Sequence, residues 1–414
     1  MSTKIITTLG PASGTPEVLK YFQEHSVEIA RLNGSHGIID EHLRVAQLAM
    51  DAGLDLMLDL PGPKIRLGEI SDKSCAVRAG ERVIIEKERQ GQGTGSVDKE
   101  SSVKVLPCQF SIEKSTRVND IIYVDDGKLQ FRVLEVETNR VHAQALNAGP
   151  VKSHKGVNLP CKSRPSKFFT ARIFEPFARA LDGKIDIDFL TENDRRLIEK
   201  LLPRIKPKYI AASFVKTVDD IHRLKAAMKD ALGDAKGYFP KIVAKIEMAE
   251  AIETNNIKSL INECDMIMIA RGDLALETTP VHIRVPFIQA DLVEHCRQQN
   301  KPFIVATQVL ESMITCPVPT RAEVSDLYRA VVLDRANYVM LSGEAAVGQY
   351  PKECVTIMHD LIHYHMNHSE QSVNPSRKPT GDTVEKRATK RTRSSKPVKS
   401  IRKPTSTMAK QKGN

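Results

Sequence analysis

Eight short apolar segments recur along the chain, most of them separated by stretches of helical periodicity. They cover residues 4–10, 28–34, 55–62, 209–215, 242–247, 266–273, 302–308 and 338–344. After the fourth segment they return every 25–35 residues or so, about the length of one strand plus one helix. Near-continuous apolar strands that alternate with helices indicate a parallel sheet covered on both faces. Eight such strands predict an α/β fold, a closed (β/α)8 TIM barrel.

About 145 residues separate the third and fourth segments. Their first two thirds alternate apolar and polar residues, with turn signals at "DDGK" and "NAGP", which predicts an inserted antiparallel, β-barrel-like lid domain. Residues 161–186 are predicted only as an irregular segment. The predicted domains are a barrel at 1–62 and 158–368, a lid at 63–157 and a tail at 369–414.

The basic charge of the chain is confined to its last 40 residues. The formal net charge is +10, but residues 375–414 carry 13 Lys and Arg against 2 Asp and Glu, which leaves −1 on residues 1–374. This tail has hardly any large apolar residues, so it cannot bury a core and is predicted to be disordered. No apolar run reaches 18 residues and no secretory signal is present, which predicts a cytoplasmic protein without a membrane span. The seven scattered cysteines indicate neither a disulfide framework nor a zinc site.

Polar side chains gather at the C-terminal ends of the predicted strands, which share one face of a barrel where active sites lie. Glu247 and Asp273 follow neighbouring strands and supply two hard oxygen ligands, the kind that magnesium takes together with water and phosphate. Lys245, Arg31 and Arg66 add positive charge on the same face. Such a group suits phosphoryl transfer, which depends on positioning and electrostatics. The alternative is that each carboxylate only forms an ion pair, with Lys245 or with Arg271.

Twelve ordered motifs resemble the pyruvate kinase family over residues 1–361. They are "KIITTLGPAS", "ARLNGSHG", "DLPGPKIRLGE", "VDDGKLQF", "HKGVNLP", "LTENDRRLI", "ASFVKTVDDI", "KIEMAEAI", "ARGDLALE", "ATQVLESMI", "PVPTRAEVSD" and "MLSGEAAVGQYP". The resemblance implies transfer of phosphate from phosphoenolpyruvate to ADP. It also implies a homo-oligomer that assembles through the barrel.

The resemblance implies a role for each matching residue. Glu247 and Asp273 would hold Mg²⁺ or Mn²⁺, and Lys245 would stabilise the phosphoryl group. The remaining implied roles are phosphate binding by Arg31, carboxylate binding by the amides of Gly272 and Asp273 beside Thr307, a proton relay through Thr307, Ser342 and Glu344, and nucleotide binding by Asn33, His36, Arg66 and Lys155.

Two departures from the family's pattern bear on cations and effectors. Asn33, Ser35, Asp59 and Leu60 stand at the positions of the family's monovalent cation site, but Leu60 stands where many members carry Thr, and Lys64 stands where potassium-dependent members carry Glu. A tethered ammonium can supply the charge that potassium brings, so potassium is not expected to be required. The resemblance ends at about residue 368, where members of the family continue into a regulatory domain that binds a sugar phosphate. Activation by fructose 1,6-bisphosphate is therefore not expected.

Two other functions stay open at this point. The first is a catalytically weak barrel whose basic tail binds nucleic acid or another anionic surface weakly and without sequence preference. The second is another magnesium-dependent barrel enzyme, an aldolase or lyase, that acts on phosphoenolpyruvate or pyruvate. The presence of Lys245, Glu247, Asp273 and Thr307 argues against the first, and the predicted lid argues against the second.

Overall fold

The computed structural model describes residues 2–70, 74–88, 103–160, 187–233 and 237–373. The chain divides into two units, Met1–His368 and Ser369–Asn414, and the fold described below is that of the first unit. The irregular segment predicted at 161–186 lies outside the described residues, as does the predicted tail from residue 374 onward. Within the described part, none of the helices combines the length and the apolar composition needed to span a bilayer.

Eight parallel strands form a closed barrel, which confirms the predicted fold class. They are β1 (Lys4–Thr8), β2 (Val27–Asn33), β3 (Asp55–Asp59), β12 (Tyr209–Ala212), β13 (Lys241–Ile246), β14 (Met266–Ala270), β15 (Phe303–Ala306) and β16 (Tyr338–Leu341). Each strand pairs with its neighbour in the barrel, and β16 pairs with β1 to close the ring. Each of these eight barrel strands overlaps one of the eight apolar segments.

Helices cover the outside of the barrel. They are α1 (Pro16–Glu24), α2 (Ile39–Asp51), α3 (Glu192–Ile205), α4 (Val218–Leu232), α5 (Thr254–Glu263), α6 (Arg271–Glu277), α7 (Val285–Gln298), α8 (Arg321–Tyr328), α9 (Gly343–Ala346) and α10 (Pro351–Val373). Local sequence sets where several of them begin. Thr191 with Asp194 at α3, and Thr320 with Glu323 at α8, form capping boxes that satisfy the first free amides of each helix.

Alternation along the strands divides the barrel residues between two cores. Ile5 and Leu58 point outward and pack with the helices, whereas Ile6, Ile29 and Met57 belong to the separate cluster inside the barrel. Because successive side chains alternate between faces, the next inward position is two residues further on. At the C-terminal end of the barrel those inward positions are polar.

The insertion after β3 folds into its own β-structure around its own buried core. Its strands are β4 (Ser74–Val77), β5 (Arg82–Lys87), β6 (Lys104–Cys108), β7 (Ile121–Val124), β8 (Leu129–Glu137), β9 (Arg140–Ala145), β10 (Gly149–Lys152) and β11 (Val157–Asn158). Six of them form one sheet in the order β11-β7-β8-β9-β5-β6, and β10 pairs with β4. The "DDGK" turn joins β7 to β8, with positive φ at Asp125, Asp126 and Gly127.

The pairing within the insertion corrects one prediction and explains its barrel-like form. The sheet is not wholly antiparallel, because β5 and β6 pair in parallel. Residues 89–102 connect these two strands. Parallel strands need a long crossover connection, which this length allows and which a tight hairpin could not provide. The short segment at residues 65–68 bonds to both edges of the sheet, since Val157 N–H donates to Ile65 O and Gly68 N–H donates to Pro107 O, each at 2.9 Å. This segment bridges the two edges.

Candidate active site

A hydrogen-bonded polar ring occupies the C-terminal end of the barrel. Its members sit two residues beyond the inward apolar positions of their strands, so alternation alone points them into the barrel mouth. Arg31 Nε lies 2.6 Å from Asp59 Oδ2, and Arg31 Nη1 donates to Thr8 Oγ1 at 2.8 Å. Lys245 Nζ donates to Asp59 Oδ1 at 3.1 Å and to Ser213 Oγ at 2.5 Å. Burial raises the pKa of Asp59, but Arg31 and Lys245 outweigh it and hold the pKa below its ordinary value.

Glu247 is a buried acid and Asp273 a half-buried one, and the two have different partners. Glu247 Oε1 lies 3.1 Å from Lys245 Nζ, and Glu247 Oε2 accepts from the amide of Phe214 at 2.8 Å. Burial and the charge of Asp273 raise the pKa of Glu247 against the opposing effect of Lys245. Burial also favours the neutral form of Asp273. The charge of Lys64 and the hydrogen bonds that Asp273 accepts from Lys64 and Asn158 outweigh this effect and lower the pKa of Asp273.

These two carboxylates fit a divalent cation of the magnesium type. They follow neighbouring barrel strands, they are close enough for each charge to affect the other, and each already has an ammonium group beside it. Within the described ranges, no group of three or more His, Cys, Asp or Glu side chains could hold a metal. Magnesium suits such a site, because it usually takes one or two carboxylates and completes its shell with water and substrate oxygens.

Gly272 and Thr307 come together where β14 and β15 end. The Gly272 amide donates to Thr307 Oγ1 at 2.8 Å, and that hydroxyl donates to Ala306 O at 2.6 Å. Thr307 has φ +68° and Gln308 has φ +53°, strained values for residues other than glycine. Arg271 pairs with Asp326 at 2.6 Å and donates to the carbonyl of Thr307 at 2.8 Å, so it fixes this turn and does not pair with Asp273.

Ser342 and Glu344 lie where β16 leads into α9. Both oxygens of the buried Glu344 accept from backbone amides, those of Ser342 at 2.8 Å and Leu310 at 3.2 Å. Ser342 Oγ is buried and makes no hydrogen bond within the part of the chain that the structure describes. Glu344 is therefore fixed by the main chain.

The predicted nucleotide-binding residues cluster around His36. Burial lowers its pKa, and the positive charges of Arg66, Arg31 and Lys155 lower it further. Arg66 and Lys155 come from the insertion, where Arg66 Nη1 donates to His154 O at 3.1 Å and Lys155 Nζ lies 2.9 Å from Asp125 Oδ1. Asn33 bonds within its own turn, because its Oδ1 accepts from the amide of Ser35 at 3.2 Å.

The residues of the predicted monovalent cation site come from neighbouring strands, since Asn33 is paired with Asp59 across β2 and β3 and the Ser35 amide donates to Asn33 Oδ1. Asp59 is engaged by Arg31 and Lys245, and Leu60 is buried. Lys64 Nζ lies 2.8 Å and 3.1 Å from the two oxygens of Asp273, and 3.8 Å from Asp126. The Lys64 ammonium therefore neutralises Asp273.

Three further residues of the site had no role in the sequence analysis. Ser213 joins the polar ring, Asn158 donates to Asp273, and Glu277 accepts from Asn158. Burial raises the pKa of Glu277 to about 8. The available sequence signal was position: Ser213 follows β12, and Asn158 lies in "HKGVNLP" where the insertion returns to the barrel.

Comparisons with known proteins agree on one family. The family described as "Pyruvate kinase, barrel domain" matches residues 1–166 and 178–355. The pyruvate kinase of Thermococcus litoralis is 34% identical over 363 residues, which are 86% of this chain and 68% of that protein. Pyruvate kinase II of Salmonella typhimurium is 35% identical over 364 residues, again 86% of this chain and 68% of the relative. A crystal structure of a pyruvate kinase from Cryptosporidium parvum matches with a TM-score of 0.73 at 29% identity, covering 89% of this chain and 72% of that one.

Proposed function

The chain belongs to the pyruvate kinase family, and we propose that its reaction centre is the polar ring together with Glu247, Asp273 and Thr307. As a member it is a glycolytic phosphotransferase that moves the phosphoryl group of phosphoenolpyruvate to ADP. The observation that carries the site assignment is the meeting of two carboxylates and two lysines at one end of the barrel. We further propose that the catalytic barrel comprises residues 1–62 and 158–368, with a lid at 63–157.

Family membership implies a divalent metal, which we assign as Mg²⁺ or Mn²⁺ held by Glu247 and Asp273. Such an ion, when bound, neutralises phosphate charge and orients the phosphoryl group. The protein's own part is to keep both carboxylates in place. Phe214 and Lys245 fix Glu247, and Asn158 fixes Asp273.

Lys245 and Arg31 supply the positive charge for phosphoryl transfer. Lys245 Nζ is buried and held by Asp59 and Ser213, so its position is fixed before substrate arrives. A preorganised charge of this kind stabilises the transition state without reorganisation during the reaction. Arg31 is fixed by Asp59 and Thr8 and serves the phosphate in the same way.

The backbone beyond β14 and β15 handles the pyruvate part of the substrate. The amides of Gly272 and Asp273 receive the carboxylate, with the Thr307 hydroxyl beside them. The enolate that remains after transfer needs a proton, and we assign its delivery to Thr307 and Ser342, with Glu344 anchoring the relay. The nucleotide binds against Asn33, His36, Arg66 and Lys155, whose positive charges suit its phosphates.

Direct metal binding tests the central site. Titration of the protein with Mn²⁺, followed by the electron paramagnetic resonance signal of the free ion, should give one site per chain without added substrate. Mg²⁺ should displace the ion, because both take hard oxygen ligands. A protein that leaves all Mn²⁺ free, or that fails to release it to Mg²⁺, would contradict the assignment.

Activity should not require potassium. The Lys64 ammonium already lies beside Asp273, and it can supply the positive charge that a bound potassium ion would bring. The measurement is pyruvate formation in tetramethylammonium buffer, with and without added potassium. We expect similar rates in both, and we expect Lys64→Glu to create a potassium requirement by restoring a carboxylate. A strong rate increase on adding potassium to the native protein would contradict the prediction.

We propose that the chain forms homo-oligomers through the barrel surface around α7. Ile283 and Leu333 are 67% and 58% exposed, and Arg297 Nη2 bonds to Leu333 O at 2.7 Å, which ties that segment to α7. Light scattering should show that Ile283→Glu with Leu333→Glu converts oligomers to monomers. Met50→Glu, at an exposed site on α2, should leave the mass unchanged. Monomeric native protein would contradict the proposal.

We propose a second, weaker activity for the tail, supported by its net +11 charge. Its lack of aromatic residues favours phosphate contacts over base stacking, so binding should fall steeply with salt. Deletion of residues 375–414 should abolish retention on heparin at low salt and leave turnover unchanged. Equal retention of the truncated protein would contradict this role. The glycolytic reaction supports a cytoplasmic location, which we propose.

A further inference from the structure

Both connections between the insertion and the barrel contact the same carboxylate oxygen. Asp273 Oδ1 accepts from Lys64 Nζ at 2.8 Å and from Asn158 Nδ2 at 3.1 Å. Lys64 lies where the chain leaves β3, and Asn158 is the last residue of β11, where the chain returns. A change in the position of the insertion would therefore act on Asp273 from both connections.

Asn158 also ties this carboxylate to a second acid. Its Nδ2 group donates to Glu277 Oε1 at 2.9 Å, and Glu277 lies four residues after Asp273, one turn further along α6. Asn158 and Glu277 are 1% and 7% exposed. One buried amide nitrogen therefore joins the partly exposed Asp273 to the buried Glu277.

The chemistry of the amide fixes its orientation and argues against a packing role. The NH₂ end must face Asp273, because an ionised carboxylate only accepts and the opposite orientation would direct the amide carbonyl oxygen at it. In that orientation Asn158 Oδ1 is buried and makes no hydrogen bond among the described residues. A buried polar atom without a partner is unfavourable. An apolar side chain would fill the space without that cost, so the two donated bonds are what the amide provides.

We propose that Asn158 and Glu277 form a positioning pair that orients Asp273 for the divalent metal and couples it to the insertion. The proposal rests on the proposed metal site at Glu247 and Asp273. The pair acts on the metal site only through Asp273, and neither residue is assigned as a metal ligand. Glu277 holds the amide of Asn158, and Asn158 holds the carboxylate of Asp273.

The test is the Mn²⁺ dissociation constant of the full chain without substrate, measured by electron paramagnetic resonance. We expect Asn158→Ala and Glu277→Ala each to raise it about 10-fold, as is usual for partners of metal ligands. Glu277→Gln keeps an acceptor for Asn158, so its constant should stay close to the native value. The double Ala variant should lose no more than either single variant, because the two residues act as one unit.

A matched control is Asn147→Ala, since Asn147 donates to Lys128 O within the insertion at 2.7 Å. It should leave the Mn²⁺ constant unchanged. The proposal would be overturned if Asn158→Ala, or a folded Glu277→Ala, bound Mn²⁺ as tightly as the native protein. It would also be overturned if Glu277→Gln bound Mn²⁺ as weakly as Glu277→Ala. Thermal unfolding identifies any variant that fails to fold, and the other single variant then decides. If native protein binds no Mn²⁺, the metal site itself is wrong and the pair falls with it.

Discussion

Replacement of Asp273 with Asn should lower turnover on the order of 10²-fold or more, the usual effect of losing one electrostatic element of a reaction centre. The amide keeps the size of the side chain and can still accept from Asn158 and Lys64. It removes the charge that a divalent cation needs. Steady-state pyruvate formation at ordinary magnesium measures the effect, with circular dichroism to verify the fold.

Asp126→Asn is the matched control for this change. Asp126 lies 3.8 Å from the same Lys64 ammonium, but its side chain is 65% exposed and belongs to the insertion. Its loss should change turnover little, since exposed ion pairs contribute little. Near-normal turnover of Asp273→Asn would remove that residue from the metal site. A loss of similar size in Asp126→Asn would show that the effect comes from Lys64.

Replacement of Lys245 with Met should lower turnover by about 10²–10³-fold, because a fixed charge beside the transferring group is lost. Met keeps an unbranched side chain that is one atom shorter, and the ammonium is removed. The same change removes the ammonium that lies beside Glu247, while Asp59 keeps its ion pair with Arg31. We therefore also expect a lower melting temperature, since removing one partner of a buried pair is destabilising.

Lys301→Met separates the catalytic effect from the general loss of a lysine. Lys301 is a part-buried residue just before β15, at the opposite end of the barrel, and its Nζ donates to Cys264 O. This variant should keep its turnover. Saturating kinetics on both proteins distinguish the outcomes, and a Lys245→Met enzyme with near-native kcat would exclude Lys245 from the transfer step.

The barrel and its polar ring could be predicted because one periodicity sets both. Strands buried on two faces are visible in the sequence as continuous apolar segments. The alternation that points Ile29 and Met57 inward also points Arg31 and Asp59 into the barrel mouth. Lys245 and Glu247 follow the same rule on β13. These residues lie at the ends of strands, so alternation along each strand sets their positions and the rest of the fold matters less.

The remaining contacts of the site depend on how the insertion meets the barrel, which no local pattern encodes. Lys64 and Asn158 are 94 positions apart and meet at one oxygen of Asp273 only because both ends of the insertion return to the same place. The parallel pairing of β5 with β6 was missed for a similar reason, since alternation predicts a strand but not its partner. Glu277 ends the short helix α6, and a sequence pattern does not show whether a residue at that position faces the site or the surface.

The most direct test of the account is ADP-dependent formation of pyruvate from phosphoenolpyruvate, followed by coupling to lactate dehydrogenase. Pyruvate should form only when phosphoenolpyruvate, ADP and a divalent metal are all present, with one ATP for each pyruvate. Absence of pyruvate under these conditions would contradict the account. So would pyruvate released without ADP and accompanied by inorganic phosphate, because the site would then transfer phosphate to water.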